Sequence, residues 1–267
     1  MAGNTKLMEY LKNVSWPFVA PVVIIILALI IFIPMLLLDI MIVFNIVFAL
    51  AIFFIVLSLK NPTRFSLCPT AIIVSALLNL AVTISATRSI LARGDAFCGR
   101  IILFVSSLAA GSSDFRLIVG LAIFTAIVAV HLKIIIRGVV RIAEVAACFT
   151  LDAMPGKQMA IDAELSNGVI DQKEHAARKK ALQQETDFYG SMDGVMKYLS
   201  GHEKLKPFIF TGAIIGGIII NGVFIDAVRI YVPLIIGNGV LSMIPALSTS
   251  LVPVVLVFRS VTGLPKE

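Results

Sequence analysis

The chain has 267 residues, is 59% hydrophobic with a mean hydropathy of +1.01, and carries only 14% charged residues. Soluble domains carry about 25% charged residues, so the composition excludes an ordinary soluble domain and marks an integral membrane protein. The net charge of +6 does not point to nucleic acid, because residues 137–206 hold ten Lys/Arg against ten Asp/Glu and the surplus sits in short loops and span ends, where charge sets topology.

A short polar start, residues 1–15, precedes an uncharged run from Trp16 to Leu38 punctuated by Pro17, Pro21 and Pro34. This run is long and flows into a second one, so it reads as a span, with no cleavable signal peptide apparent. The second run reaches from Asp39 to Lys60, and Asn61-Pro-Thr-Arg64 forms a basic turn. The third extends from Phe65 to Thr87 and is ended by Arg88. Residues 89–115 are mixed; their apolar run 101–110 is too short to cross and is expected to be re-entrant or interfacial. Leu117 to Ile136 makes a fourth span, with Lys133 snorkelling from its last turn.

A long polar segment follows. Met154-Pro-Gly156 and Asn167-Gly168 are expected as turns. Asp171-Gln-Lys-Glu174 has the form of a capping box that opens a solvated helix with Glu174 and Arg178 at i,i+4. Pro207 to Ile225 is a fifth span with Gly212, Gly216, Gly217 and Gly222 as a small-residue packing face. Tyr231 to Phe258 is a sixth, expected to be interrupted at Pro233, Gly237-Asn-Gly239, Pro245 and Pro253. The fold class is therefore an all-α, polytopic helix bundle of about six spans, with a cytoplasmic loop between spans four and five. Three parts are expected: 1–136, 137–206 and 207–267. Both termini fall on the Lys/Arg-rich side, the cytoplasmic one.

The chemistry in the residues is sparse. His131, His175 and His202 are scattered and form no metal-ligand spacing. Cys68, Cys98 and Cys148 are single and read as small buried apolar residues. Neither a nucleophile elbow nor a phosphate loop is present, so no enzymatic activity and no cofactor are expected. Asp39, Asp226 and Arg229 stand at or near span ends, where they are either proton or ion handlers or plain helix-ending residues. Asp152, Lys157 and Asp162 surround the Pro-Gly pair as a charge network or as a solvated loop.

One stretch carries a specific resemblance. Arg141, Glu144, Val145, Ala147, Phe149, Leu151, Asp152, Met154, Pro155, Gly156, Lys157, Gln158, Met159, Ile161 and Asp162 fit the signature of the type III export gate family, also called FHIPEP. Pro34-x-x-Leu-Leu-Asp39 with Asn45-Ile46, Phe65-Ser-x-x-Pro69-Thr70, Thr87-Arg88, Asp187-Phe-Tyr-Gly190, Met192-Asp-Gly194, Ile236-Gly-x-Gly239 and Ile244-Pro-Ala-Leu247 resemble the same family, so nearly the whole chain is covered. The resemblance implies a bacterial inner-membrane subunit of a flagellar or virulence secretion apparatus. Such a subunit forms a homo-oligomeric ring with other export-apparatus membrane subunits in the lipid bilayer. It couples proton motive force to the export of unfolded proteins. It also implies roles for Arg141, Glu144, Asp152, Pro155, Gly156, Lys157, Gln158 and Asp162 in the signature loop, and for Asp39, Arg88 and Asp193 in proton or ion handling.

The chain departs from the family pattern in two ways. It stops after the sixth span, where family members usually have two more spans and a large substrate-docking domain. Cys148 and Asn79 stand in place of arginines, and His202 and Asn238 in place of aspartates. These are the residue types a proton-coupled machine would use. They motivate an alternative expectation, a truncated or degenerate paralogue acting as a non-conducting scaffold subunit.

Overall fold

The computed structural model describes residues 33–58, 68–109 and 114–262. The span expected from Trp16 lies outside them up to residue 32, as does the turn Asn61–Arg64. The described residues are almost all helical, with short connections such as 97–99 and 167–171 and no strand among them. They form α1 (Met35–Ser58), α2 (Cys68–Arg93), a 3-10 turn (Gly94–Ala96), α3 (Arg100–Ala109) and α4 (Asp114–Lys133). A π-helical segment (Ile134–Val139) leads into α5 (Val140–Asp152), followed by α6 (Met154–Ser166), α7 (Gln172–Asn221) and α8 (Phe224–Thr262). Four helical stretches are long and apolar enough to cross a membrane: Met35–Ser58, Cys68–Ala96, Phe115–Lys133 and Phe224–Val257. They coincide with the second, third, fourth and sixth runs of the sequence, and the fifth run is the apolar end of α7 beyond Pro207. Helix is the only spanning form open to such runs, because each must satisfy its own backbone polar groups in lipid.

Three local expectations change. Met154-Pro-Gly156 is no turn: it is the first turn of α6, where the missing N–H of Pro155 is harmless and its fixed φ suits the helix. The single residue Ala153, itself with helical backbone angles, separates α5 from α6. Helix α8 is continuous through Pro233, Pro245 and Pro253, where breaks were expected. It can be, because it is the central helix: it touches α1, α2, α3, α4, α5 and α7, so protein covers the carbonyls its prolines free. Helix α7 likewise runs unbroken through Pro207. Other signals hold. The Asp171 carboxylate accepts from the Glu174 backbone N–H at 2.6 Å and caps α7, and Gly168 turns the chain at φ +69°.

The bundle is layered along the helix axes. One apolar core gathers Leu38, Ile42, Val82, Ala86, Ile90, Ile102, Phe124, Phe210, Tyr231 and Ile235. A second gathers Ile52, Val56, Cys68, Ile72, Met192, Met196, Leu199, Val252 and Leu256, on the side of the α6–α7 hairpin. Between them each packed helix turns polar at one level: Asn45 on α1, Asn79 on α2, His131 on α4, His202, Glu203 and Lys206 on α7, Ser242 on α8. All are at least 91% buried.

Candidate functional site

That polar layer is the candidate site. Helix α7 presents His202, Glu203 and Lys206 within little more than one turn, so they point to one face. The Glu203 carboxylate is the hub. Its Oε1 accepts from Lys206 Nζ at 2.8 Å and lies 3.1 Å from His202 Nδ1, and its Oε2 lies 3.2 Å from His131 Nε2. Three of the four members thus come from one helix and the fourth from the last turn of α4. The π-helical segment that follows His131 is a geometry often found beside functional sites. A carboxylate only accepts, so each imidazole donates to it through one ring nitrogen, which leaves His131 Nδ1 and His202 Nε2 as the ring nitrogens not bonded to it. Both are buried without a hydrogen-bond partner among the described residues. The Tyr198 ring stacks on His202 at 6.2 Å. One carboxylate, one ammonium and two imidazoles thus share a single buried cluster. Burial of such groups in a membrane bundle marks function more often than stability.

The cluster joins a polar seam between α2 and α8. Lys206 Nζ and Asn79 Nδ2 both donate to the Ser242 carbonyl, at 3.4 and 3.2 Å, and Asn45 Nδ2 donates to Asn79 Oδ1 at 3.2 Å. Asn238 Nδ2 donates to the Thr83 carbonyl and to Thr87 Oγ1. Asn79 and His202 therefore lie in the same buried layer, and Asn238 lies one to two turns further along α2 from Asn79. Cys148 does not: it is exposed on α5, 3.4 Å from Asp152, and the hydrogen bond to that carboxylate, ahead of its charge, pushes the thiol pKa up.

The residues singled out in the sequence lie elsewhere. Arg141 and Glu144 are exposed on α5, and Pro155, Gly156 and Gln158 are exposed on α6. Lys157 pairs with Glu185 at 3.2 Å. Asp162 is 2.7 Å from His175 and 3.6 Å from Lys179. The hydrogen bond from His175, ahead of the Lys179 charge, holds its carboxyl below the usual range. With Arg178 bridging Glu164 and Glu174, these pairs stitch α6 antiparallel to α7 on the surface. Asp193 pairs with Lys197 one turn away on α7. Arg88 is half-buried on α2, next to the seam residue Thr87.

Asp39 has a different neighbourhood: its carboxylate accepts from the backbone N–H groups of Arg100 and Ile101 at 3.1 and 3.4 Å, capping α3 from α1. Cap removal costs about 1 kcal/mol. Asp39→Ala should therefore lower the thermal midpoint in detergent by about 2–4 °C, with Asp39→Asn intermediate. An unchanged midpoint would show the cap contributes nothing.

The family model described as the FHIPEP family matches residues 25–264. The chain belongs to the FHIPEP family. Its relatives include a flagellar biosynthesis protein FlhA of Treponema pallidum, 38% identical over 90% of this chain and 35% of its own length. Another FlhA, from Borreliella burgdorferi, is 40% identical over 86% of this chain and 34% of its own length. The low calcium response locus protein D of Yersinia pestis is 36% identical over 85% of this chain and 32% of its own. This FHIPEP chain thus spans about a third of the length of the curated relatives it matches. No solved structure matches it.

Sequence pattern alone does not bring His131, Glu203 and Lys206 together, since 72 residues separate His131 from Glu203. A usable signal does exist. His131 closes the fourth apolar run, and His202-Glu203-x-x-Lys206 opens the fifth, so both lie at the same end of neighbouring spans.

Proposed function

We propose that this chain is the membrane part of a type III protein export gate in the bacterial inner membrane, with cytoplasmic termini. In this reading it acts without enzymatic activity. It assembles as a homo-oligomeric ring with other export-apparatus membrane subunits, and it couples proton motive force to the export of unfolded proteins. Family membership supports the export role. The Glu203–Lys206–His131–His202 cluster carries the coupling, because ionisable groups buried inside a membrane bundle mark proton and ion pathways. Protonation of either ring changes the charge facing Glu203 and so biases the packing of α4 against α7.

A second reading is favoured by one observation: Asn79 and Asn238, where the family pattern has charge, carry none and are engaged in hydrogen bonds. That reading is a non-conducting scaffold subunit. Deleting the gene should abolish secretion of flagellar or effector proteins, and normal secretion in the deletion strain would sink the export role. Complementation with Glu203→Gln at normal membrane levels should leave secretion lost or cut at least tenfold; full rescue would favour the scaffold.

A further inference from the structure

We infer that α5 has two registers about its own axis. The π turn now at Ile134–Val139 moves to the joint at Ala153, which turns α5 by about 100° while α4 and α6 keep their places. The inference goes beyond the export reading above, and its labelling test does not depend on that reading.

The first observation is where α5 is held. Helix α4, the π segment, α5 and α6 follow one another from Asp114 to Ser166 with only Ala153 between helices. The stretch before α5 is fixed in the bundle: His131 is 5% exposed, and its Nε2 lies 3.2 Å from Glu203 on α7. The stretch after α5 is pinned to α7 by Lys157–Glu185 and Asp162–His175, at 3.2 and 2.7 Å. Every described side chain of α5 itself is exposed.

The second observation is the joint at each end. A π turn is an α-helix carrying one residue too many, because its hydrogen bonds close from i to i+5. Moving that surplus residue along a helix leaves both ends in place, and each residue it passes advances by one helical position. Ala153 already interrupts the helix, so the surplus has a place to come to rest. Gly138 lies in the π segment, and Gly156 lies three residues beyond Ala153. A Cβ on either would meet nothing within 4 Å, so packing requires neither glycine. Glycine inside a helix weakens it, and both weak points flank α5.

The third observation is the sequence of α5. Ile142, Val145 and Phe149 are 51%, 43% and 73% exposed. They recur at i, i+3 and i+7, so they form one apolar stripe. At about 100° per residue, all the described α5 side chains fall on one half of the helix. Helix α5 packs on α7 and α8, so the other half is the packed one. Advancing by one position puts Ile142, Val145 and Phe149 where residues 143, 146 and 150 now stand, on that packed half. Arg141, Glu144 and Cys148 move into the places the stripe leaves, and remain outside. Helix α5 is therefore amphipathic in the ordinary sense only in the second register, with its apolar stripe in and Arg141 and Glu144 out.

Two deletions of equal length separate the registers. Removing Gly138 takes out the surplus residue and leaves α5 as it stands. Removing Ala153 makes the anchored α6 draw α5 round into the second register. The readout is N-ethylmaleimide labelling, in native membranes, of Phe149→Cys in a Cys98→Ser/Cys148→Ser background. Native Cys148 in a Cys98→Ser background is the control, and Cys68 is buried. Position 149 should label readily in the Gly138 deletion and at least fivefold more slowly in the Ala153 deletion, with Cys148 alike in both. Equal labelling of position 149 in the two deletions overturns the inference. So does its protection in the Gly138 deletion, which would mean that the stripe is covered without any turn. If the Ala153 deletion fails to accumulate in the membrane, Gly138→Ala decides, because alanine strengthens the α form of the segment and favours the second register. Labelling of position 149 relative to Cys148 should then fall at least twofold, and an unchanged ratio overturns the inference. Secretion is scored separately in the gene-deletion strain. Normal secretion by both deletion variants, beside the expected labelling, would leave the two registers standing and show that export does not use them.

Discussion

Replacing Glu203 by alanine should destabilise the protein by about 3–5 kcal/mol, the usual cost of stranding a buried charge. Glu203 and Lys206 are 3% and 5% exposed at their side chains and 2.8 Å apart. Removing the carboxylate leaves the ammonium with the Ser242 carbonyl at 3.4 Å, and strips both imidazoles of their acceptor as well. A drop of roughly 10 °C in the thermal midpoint in detergent is the expected reading, at 2–4 °C per kcal/mol. Removing both charges together should be milder. Glu203→Leu/Lys206→Met takes the ion pair out without stranding either member, and such replacements are often neutral or better. The double variant should therefore unfold well above Glu203→Ala, yet fail to restore secretion. That split separates the stability role of the pair from its use in coupling. A midpoint for Glu203→Ala within 1 °C of wild type would show that the two groups are not paired in the membrane.

The layering explains what could and could not be read beforehand. Long uncharged runs announce spans because lipid imposes their length and their helicity, and four of the expected spans lie where the hydropathy places them. Capping chemistry is equally local: Asp171 and Glu174 stand three residues apart, and the cap forms as the spacing says. Helix breaks are harder, because a proline kinks or ends a helix only when the freed carbonyl finds no cover. Cover is tertiary, so Pro233, Pro245 and Pro253 read as interruptions until α8 is seen at the bundle centre. Helix α7 poses the same problem at Pro207, where the sequence changes character from polar to apolar but the backbone does not break.

The site is the extreme case of that limit. Its members come from five helices, and nothing in the local sequence of His131 differs from a histidine ending a span in water. Resemblance to a family drew the eye to the signature around Pro155, where most of the fixed positions are. In the structure Arg141, Glu144, Pro155, Gly156, Lys157 and Gln158 are exposed on α5 and α6, while Met154 is buried. Two of the departures from the pattern were a partial guide, since Asn79 and His202 are far apart in sequence and both enter the buried layer.

Glycines give the sharpest contrast between neighbours that look alike in sequence. Gly237→Ala should destabilise by about 1–3 kcal/mol, the cost of forcing a methyl into a packed site. A Cβ there would lie 2.8 Å from the Ile102 carbonyl oxygen and 3.0 Å from the Ser106 nitrogen, both backbone atoms of α3 that cannot swing aside. Gly217→Ala belongs to the same class, with a Cβ 2.6 Å from Cγ of the buried Tyr231 ring and 3.0 Å from its Cβ. Gly212 lies five residues before Gly217 on the same helix and meets nothing within 4 Å. Gly212→Ala therefore gains helix propensity without a clash and should stabilise by about 0.5–1 kcal/mol. The small-residue face of the fifth run thus divides in two: Gly217 is a packing site, and Gly212 faces outward. Thermal midpoints of the three variants in detergent measure this directly. If Gly212→Ala fell as far as Gly217→Ala, the outward side of α7 would have to be a packed surface too, and the closest contact of α7 would not be with Tyr231.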